Sequence, residues 1–465
     1  MPNHLHSLIQ LIGDAMGDHD SKQYACTDLG NVERFVEQHR HHLKATGHKS
    51  AWFYWDGCRW KQTGERQAHS FAVKTVQSIA DEAEACRSHR NYDEIRKWAK
   101  QSQSEGRISA LLAAASKNEE LYADPAAFDH QQFTINTKTG PVWLRTGAGE
   151  DPKPEGLFTK TTLASWDSEV ECPQFEEFVS EIFGGDEELI SWVQRAIGYS
   201  LTARVTEQVL FLAYGTGANG KSTLFELIHS ILGDYSKMAD FETFVTGKKS
   251  DVRTMEAIGE LKGIRFALAS EIDSARRFDE ALIKKLTGGD TLRGTALRSS
   301  AFQFSPEFKI WLLTNHLPFA RDGSHGFWRR IKVIPFNQTF KGDALKSNLY
   351  GRLSAEKSGI LKWCVEGAVS YFEKLRHEET GLGPCKAIDE ATAAYRYDND
   401  TVSRFIEEVV EVCGDSRVQA RALFAAYESW SFDEGIKYPI SEQIFSRRME
   451  ERGFIKKRTS EANYY

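Results

Sequence analysis

The stretch "VLFLAYGTGANGKST", residues 209–223, decides the reading of this chain. Its first six residues form a short apolar run of the kind that fills a buried strand. The next nine satisfy G-x-x-x-x-G-K-[ST], with Gly215, Gly220, Lys221 and Ser222 in register. A helical pattern then runs from 221 to 232 and stops at Gly233. Glycines let the backbone curl so that successive N–H groups face phosphate oxygens. The helix that follows adds its positive end. The expectation is an ATP site over Gly215, Thr216, Gly217, Ala218, Asn219, Gly220, Lys221, Ser222 and Thr223. Lys221 would neutralise the β- and γ-phosphates, and Ser222 would ligate Mg²⁺.

More apolar runs follow at 264–270, 309–314 and 331–336, interleaved with helical patterns. That alternation predicts an α/β core with a mostly parallel sheet and helices on both faces. "FALASEID", 266–273, ends a strand in two carboxylates. Glu271 is expected to activate water and Asp273 to join the metal environment, Ser222 being the other metal ligand. "WLLTNH", 311–316, brings Asn315 to a strand tip, where an amide that both donates and accepts suits a γ-phosphate contact. The same Asn-His-x-Pro order also spells a turn. "GFWRRIKVIPF", 326–336, sets Arg329 and Arg330 before another strand. An arginine reaching a neighbouring subunit's nucleotide would stabilise charge on the transferring phosphoryl group. Adjacent arginines serve equally as surface ion-pairing groups.

The 465 residues, 27% charged and 41% hydrophobic, suit about three packed domains. A net charge of −7 excludes a uniformly basic nucleic-acid coat, so any such contact needs a local patch. No apolar run approaches the ~18 residues of a membrane span, and no secretory signal opens the chain. Seven scattered cysteines without a CxxC fit reduced thiols in a cytoplasm, bacterial or host, rather than disulfides or zinc. "HRHH" at 39–42 is expected as a solvated helix face. "AWFYWDGCRW", 51–60, predicts a hairpin turning at Asp56-Gly57, and 75–123 predicts amphipathic helices. The Gly/Pro-punctuated loop at 145–156 marks a boundary. The expected domains are 1–150, a mixed α+β collar or docking domain; 157–380, with helices at 172–202 leading into a motor at 205–340; and 385–465, with three helical patterns and a terminal hairpin or wing.

Together these motifs resemble superfamily 3 helicases, and more narrowly the helicase half of phage and plasmid primase-helicases, related to the poxvirus helicase-primases. "DLGNVERF" (28–35), "WDGCRW" (55–60) and "CPQFEEFVSEIFGGDEELISWVQRAIGYSLT" (172–202) resemble the pre-helicase region. "FLAYGTGANGKST", "LIKKLTGGDTLRG", "LLTNHLPF" and "GFWRRIKVIPF" resemble the motor motifs. The resemblance implies an AAA+-type P-loop ATPase core assembled as a ring, usually a hexamer, with ATP and Mg²⁺ between subunits. It places Lys221, Ser222, Glu271, Asp273, Asn315 and Arg329 or Arg330 on nucleotide positions, Arg329 being the favoured finger. It implies 3′-to-5′ movement on single-stranded or forked DNA.

Residues 282–304 resemble the region of the family's pore hairpin, with "RSS" at 298–300 as its tip. The chain departs from the pattern at Ser299 and Thr295, leaving Lys284, Lys285, Arg293 and Arg298 as local charge. Either the hairpin grips DNA or it packs on the next subunit. The tail resembles the family's small winged-helix-like domain. Residues 446–465 hold six Lys/Arg against three Glu. Arg447 and Arg448 there either contact phosphates or form a solvated basic face. Residues 1–150 show no polymerase carboxylate set and no zinc-binding cysteines, so priming is expected to be absent here or supplied by another chain, a separate primase or polymerase. The leading expectation is an ATP-driven replicative DNA helicase of a phage, plasmid or mobile element. The alternatives are a nucleotide-switched loader or assembly protein, or a defence protein built on the same motor.

Overall fold

The computed structural model describes residues 24–47, 51–246, 251–270, 276–295, 300–320, 323–340, 348–414, 416–458 and 462–465. The chain divides into two compact units: residues 1–130 with 152–159, and residues 131–151 with 160–465.

Among its described residues, the first unit packs four α-helices with a small antiparallel sheet. Helix α1 (Asp28–His39) precedes strands β1 (Leu43–Thr46), β2 (Ala51–Trp55) and β3 (Trp60–Thr63), which pair in that order. The β2–β3 turn forms because the Asp56 Oδ1 accepts from the N–H groups of Cys58 (3.0 Å) and Arg59 (2.9 Å) while Gly57 takes φ +101°. Helices α2 (Glu65–Ala85), α3 (Tyr92–Ser102) and α4 (Glu105–Ala115) follow. The core gathers Phe35, Trp52, Ile79, Trp98 and Leu111. Trp60 is fully buried, its indole N–H donating to the Pro154 carbonyl at 2.7 Å.

The histidine run corrects an expectation. His39 is buried, with Nε2 3.0 Å from Thr75 Oγ1 and Nδ1 2.9 Å from His42 Nε2. Burial, then the neighbouring His42, pushes its pKa down to about 3. The helix ends there and the chain turns inward to β1, so this histidine faces the core rather than solvent.

In the second unit, a three-stranded antiparallel sheet (β4 Thr134–Thr137, β5 Gly140–Trp143, β6 Ala148–Gly149) leads to helices α5 (Pro173–Ile182) and α6 (Glu187–Ser200). Strand β7 (Leu210–Tyr214) runs into the glycine loop and helix α7 (Lys221–Leu232). Strand β8 (Ser236–Met238), helix α8 (Asp251–Gly259) and strand β9 (Phe266–Ser270) come next. Helix α9 (Glu280–Thr287), the short hairpin β10 (Leu292–Gly294) and β11 (Phe302–Phe304), strand β12 (Lys309–Thr314), helix α10 (His325–Trp328) and strand β13 (Ile331–Pro335) complete the motif-bearing stretch.

Five of these strands form a parallel sheet in the order β13-β7-β12-β9-β8. Alternation sorts its side chains to two faces. Phe211, Leu268, Trp311 and Ile334 join α5, α6, α7 and the later helix α11 (Lys357–Leu375) on one face. Leu212, Ala267, Leu312 and Val333 meet α8, α9, α10 and Tyr395 of α12 (Lys386–Asn399) on the other. The parallel sheet with helices on both faces is thus as the sequence predicts. Helices α13 (Thr401–Val409), α14 (Ala420–Asp433) and α15 (Glu442–Glu451), with the antiparallel pair β14 (Lys457–Arg458) and β15 (Asn463–Tyr464), carry their own cluster around Phe405, Tyr427 and Phe445.

At the sheet end where the strands begin, two cations are buried. Arg265 donates to the carbonyls of Thr134 (2.7 Å), Leu201 (2.8 Å) and Gln131 (2.8 Å). Lys309 donates to those of Thr202, Glu307 (2.9 Å) and Arg204 (3.3 Å). The carbonyls of 201 and 202 are the loose end of α6, where the helix dipole is negative. Burial, then the charge of Arg265, holds the Lys309 amine well below its ordinary pKa.

Candidate functional site

The site grows from strand register. β7 and β12 are parallel with Tyr214 opposite Thr314, so Gly215 and Asn315 leave the sheet side by side. The glycine loop then curls through positive φ at Gly217 (+105°), Ala218 (+47°) and Gly220 (+80°). Two positions admit nothing larger than glycine. A Cβ on Gly215 would stand 2.3 Å from Asn219 Nδ2 and 2.5 Å from the Phe336 carbonyl. One on Gly220 would stand 2.4 Å from Ile182 Cγ2.

Lys221 opens α7, only 5% exposed. Its Nζ donates to the carbonyls of Gly215 (2.8 Å) and Thr314 (2.9 Å) and to Asn315 Oδ1 (2.9 Å). Asn219 is buried too, its Nδ2 donating to the Phe336 carbonyl at 3.4 Å. The Phe340 N–H donates to the Ala218 carbonyl at 2.8 Å, tying the chain beyond β13 to the loop. Above the loop lies a cavity of about 400 Å³ lined by 217–223, Asn315, Phe178 and Glu181 of α5, Phe340 and Leu349. Its floor is main chain and lysine, and one wall is apolar, the composition that suits a ligand part phosphate and part ring. Sequence reasoning missed Phe178, Phe340 and Leu349, because only tertiary packing brings α5 and residues past 340 to the loop.

Glu271 and Asp273 lie outside the described residues, as does Arg298. Ser270, just before them, stands opposite Leu313, so β9 ends at the same sheet edge as the glycine loop. Arg329 and Arg330 lie elsewhere. The Arg330 carbonyl accepts from the Leu210 N–H at 2.7 Å, which sets the pair beside the start of β7. The loop leaves its end, four residues or about 13 Å further along. Neither arginine lines the cavity. Arg329 is exposed. Arg330 is partly buried, and burial, then Arg329 beside it, lowers its pKa.

Of the expected DNA contacts, Lys284 and Lys285 close α9, Lys284 donating to Ser324 Oγ at 3.1 Å. Arg293 is exposed at the centre of β10. Arg447 is exposed, with Glu451 3.7 Å away. Arg448 is not on that face: it is 5% exposed, packed beside Gly323. Helix α15 has to bury one side against the rest of its unit, and Arg448 falls on it, one residue and so about 100° round from Arg447. Among the described residues, no group of three or more His, Cys, Asp or Glu suits a metal ion.

Comparison with known proteins adds the relatives. A model described as "D5 N terminal like" matches residues 32–184, and one described as "Poxvirus D5 protein-like" matches 397–465. The two matched stretches lie on either side of the glycine loop. The first ends just past α5, so it includes Phe178 and Glu181 of the cavity wall. A protein of Acanthamoeba polyphaga mimivirus named "Putative helicase" is 27% identical over 299 residues, 60% of this chain and 30% of its own length. One of Frog virus 3, also named "Putative helicase", is 25% identical over 48% of this chain and 24% of its own. A "Putative primase" of African swine fever virus is 23% identical over 51% of this chain and 26% of its own. The matches span less than a third of each of these relatives. A solved apo structure of the NrS-1 C terminal region aligns over 96% of this chain and 98% of that one, at 10% identity and TM-score 0.49. Among the described residues no helix is long and apolar enough to cross a membrane.

Proposed function

We propose that this chain is an ATP-dependent DNA helicase with an AAA+-type P-loop core, working as a ring, usually hexameric, in replication of a virus or mobile element. One observation carries the reading: Lys221 Nζ is held by Gly215, Thr314 and Asn315 at the floor of a cavity built on a G-x-x-x-x-G-K-[ST] loop. A triphosphate would exchange those neutral acceptors for charged ones, which bind an ammonium more strongly. Ser222 lines the cavity and, with Asp273, would hold Mg²⁺, which neutralises charge on the phosphates. Glu271 orients water. Asn315, already bonded to Lys221, senses the γ-phosphate. Arg329 serves the neighbouring subunit, since it stands at the wrong end of β7 to serve its own. Arg293 and the lysines of α9 meet single-stranded or forked DNA, and the tail acts as a winged-helix-like docking module. The names of the viral relatives support this class.

The test is strand displacement on a forked duplex with ATP and Mg²⁺. Unwinding that disappears with Lys221→Ala fits. The second reading is a nucleotide-switched loader, or a defence protein, that hydrolyses ATP without unwinding. It draws on the tail, where Arg448 is buried and Arg452 is paired with Asp400 at 2.6 Å, so fewer cations face outward than the sequence promises. DNA-stimulated ATP hydrolysis with no displaced strand would favour it.

A further inference from the structure

Adjacent arginines repel each other, and a long exposed side chain wanders unless something holds it. Here one residue collects both. Gln208 Oε1 accepts from Arg329 Nη2 and from Arg330 Nη2, the latter at 3.3 Å. Its Nε2 donates to the Gly288 carbonyl at 3.3 Å, which fixes the direction of the amide. Arg330 has other anchors, Thr287 Oγ1 at 3.2 Å and the Gly326 carbonyl. Among the described residues, the Arg329 guanidinium is held by Gln208.

The backbone adds a second, independent sign. Gln208 has φ +53°, a left-handed conformation that a glycine takes without steric cost. It closes a turn in which its N–H donates to the Val205 carbonyl at 3.1 Å, directly before β7. Glutamine in such a place sacrifices backbone ease for a side chain that reaches the arginines. Strain of this kind clusters where a side chain has a task.

We propose that Gln208 is a positioning residue that aims Arg329 at the phosphates of the neighbouring subunit's ATP. This rests on Arg329 being the finger. A guanidinium already held in place loses less freedom when the intersubunit site assembles, and preorganised charge is what stabilises a phosphoryl-transfer transition state. Because Gln208 also holds the Gly288 carbonyl, it links that arginine to the segment leading into the β10–β11 hairpin.

The experiment uses the full chain with ATP, Mg²⁺ and single-stranded DNA. It measures kcat, KM for ATP and melting temperature for Gln208→Gly, Arg329→Ala and the double variant. Gln208→Gly relieves the backbone, so melting holds or rises, while kcat falls about tenfold and KM stays within about twofold. Gln208→Asn, which tolerates the same backbone but is too short to reach, should behave alike. In an Arg329→Ala background, Gln208→Gly should cost nothing more, because the residue it acts through is gone. An unchanged kcat in Gln208→Gly, or losses that multiply in the double variant, overturns the proposal. The finger reading has its own control. Mixing Arg329→Ala with Lys221→Ala chains restores hydrolysis if each supplies what the other lacks. Recovery with multiplied losses sinks the role of Gln208 alone, and no recovery sinks both.

Discussion

Two buried lysines stand at opposite ends of one sheet, each ringed by oxygen. Lys221 donates to Gly215 and Thr314 carbonyls and to Asn315, at 2.8–2.9 Å. Lys309 donates to three carbonyls, with the Tyr199 ring 5.1 Å from its Nζ. Their hydrogen bonds are nearly interchangeable. What differs is the space beside them. Lys221 borders a cavity of about 400 Å³ under a glycine loop. Lys309 closes the loose end of α6. A satisfied buried cation is therefore no mark of a site until there is room next to it for something to bind.

Lys221→Ala should break the comparison hardest. ATP hydrolysis, followed by phosphate release, should fall by about a thousandfold, since the lysine is the main neutralising side chain of the cradle. Melting should move less than in Lys309→Met, because Lys221 and Asn315 line the cavity, and removing the lysine side chain opens that space toward the freed oxygens. Retained hydrolysis would remove the distinction between the two lysines. Lys309→Met should do the reverse. It strands buried carbonyls, costing on the order of 3 kcal/mol of stability. Below the melting range its kcat should match the parent chain, and a fall in kcat without a fall in stability would contradict the assignment.

A smaller effect is the pH dependence. The folded-state pKa of Lys309 lies below its unfolded value of 10.5, so the unfolded chain binds the proton more tightly. Its contribution to stability should rise with pH through the window ending at 10.5, by up to about 1.4 kcal/mol per unit. Unfolding in denaturant across that window should show the slope in the parent chain and lose it in Lys309→Met. The smallest effect is at the other end of α6. Asp186 Oδ1 caps it through the Leu189 N–H at 3.0 Å, and Asp186→Ala should cost about 1 kcal/mol with no effect on hydrolysis. A large loss of hydrolysis there would mean that α6 transmits more than stability to the loop.

The same contrast explains what was legible in the sequence. The glycine loop, the strands at 209–214, 264–270, 309–314 and 331–336, and the helix ending at Gly233 are local patterns, and local patterns are what a sequence displays. Nothing local marks Lys309, because its burial depends on α6 and residues 202–204 arriving from far away. His39 belonged to a run that reads as polar, and only the packing of α1 against α2 turns it inward. Arg448 is one residue from an exposed arginine, and which of the two faces water is decided by the body α15 leans on. Phe178 and Phe340 carry no local signal of a site, and in the folded chain they wall the cavity. The antiparallel sheet at 134–149 was not read from the sequence, because its strands are too short to show a period; its last strand, β6, falls inside the loop expected at 145–156.

The placement of Arg329 carries one more consequence. Parallel strands put the arginine pair at one end of β7 and the glycine loop at the other, so under the proposed mechanism every chain owns halves of two different engines. Output should then grow faster than protein concentration, and a diluted chain should idle even with saturating ATP. It also makes the assembly vulnerable to sabotage. A copy lacking both Lys221 and Arg329 silences its own nucleotide and its neighbour's, whereas a copy lacking one of them silences a single site, so doubly defective chains should poison a mixture more strongly than either single variant.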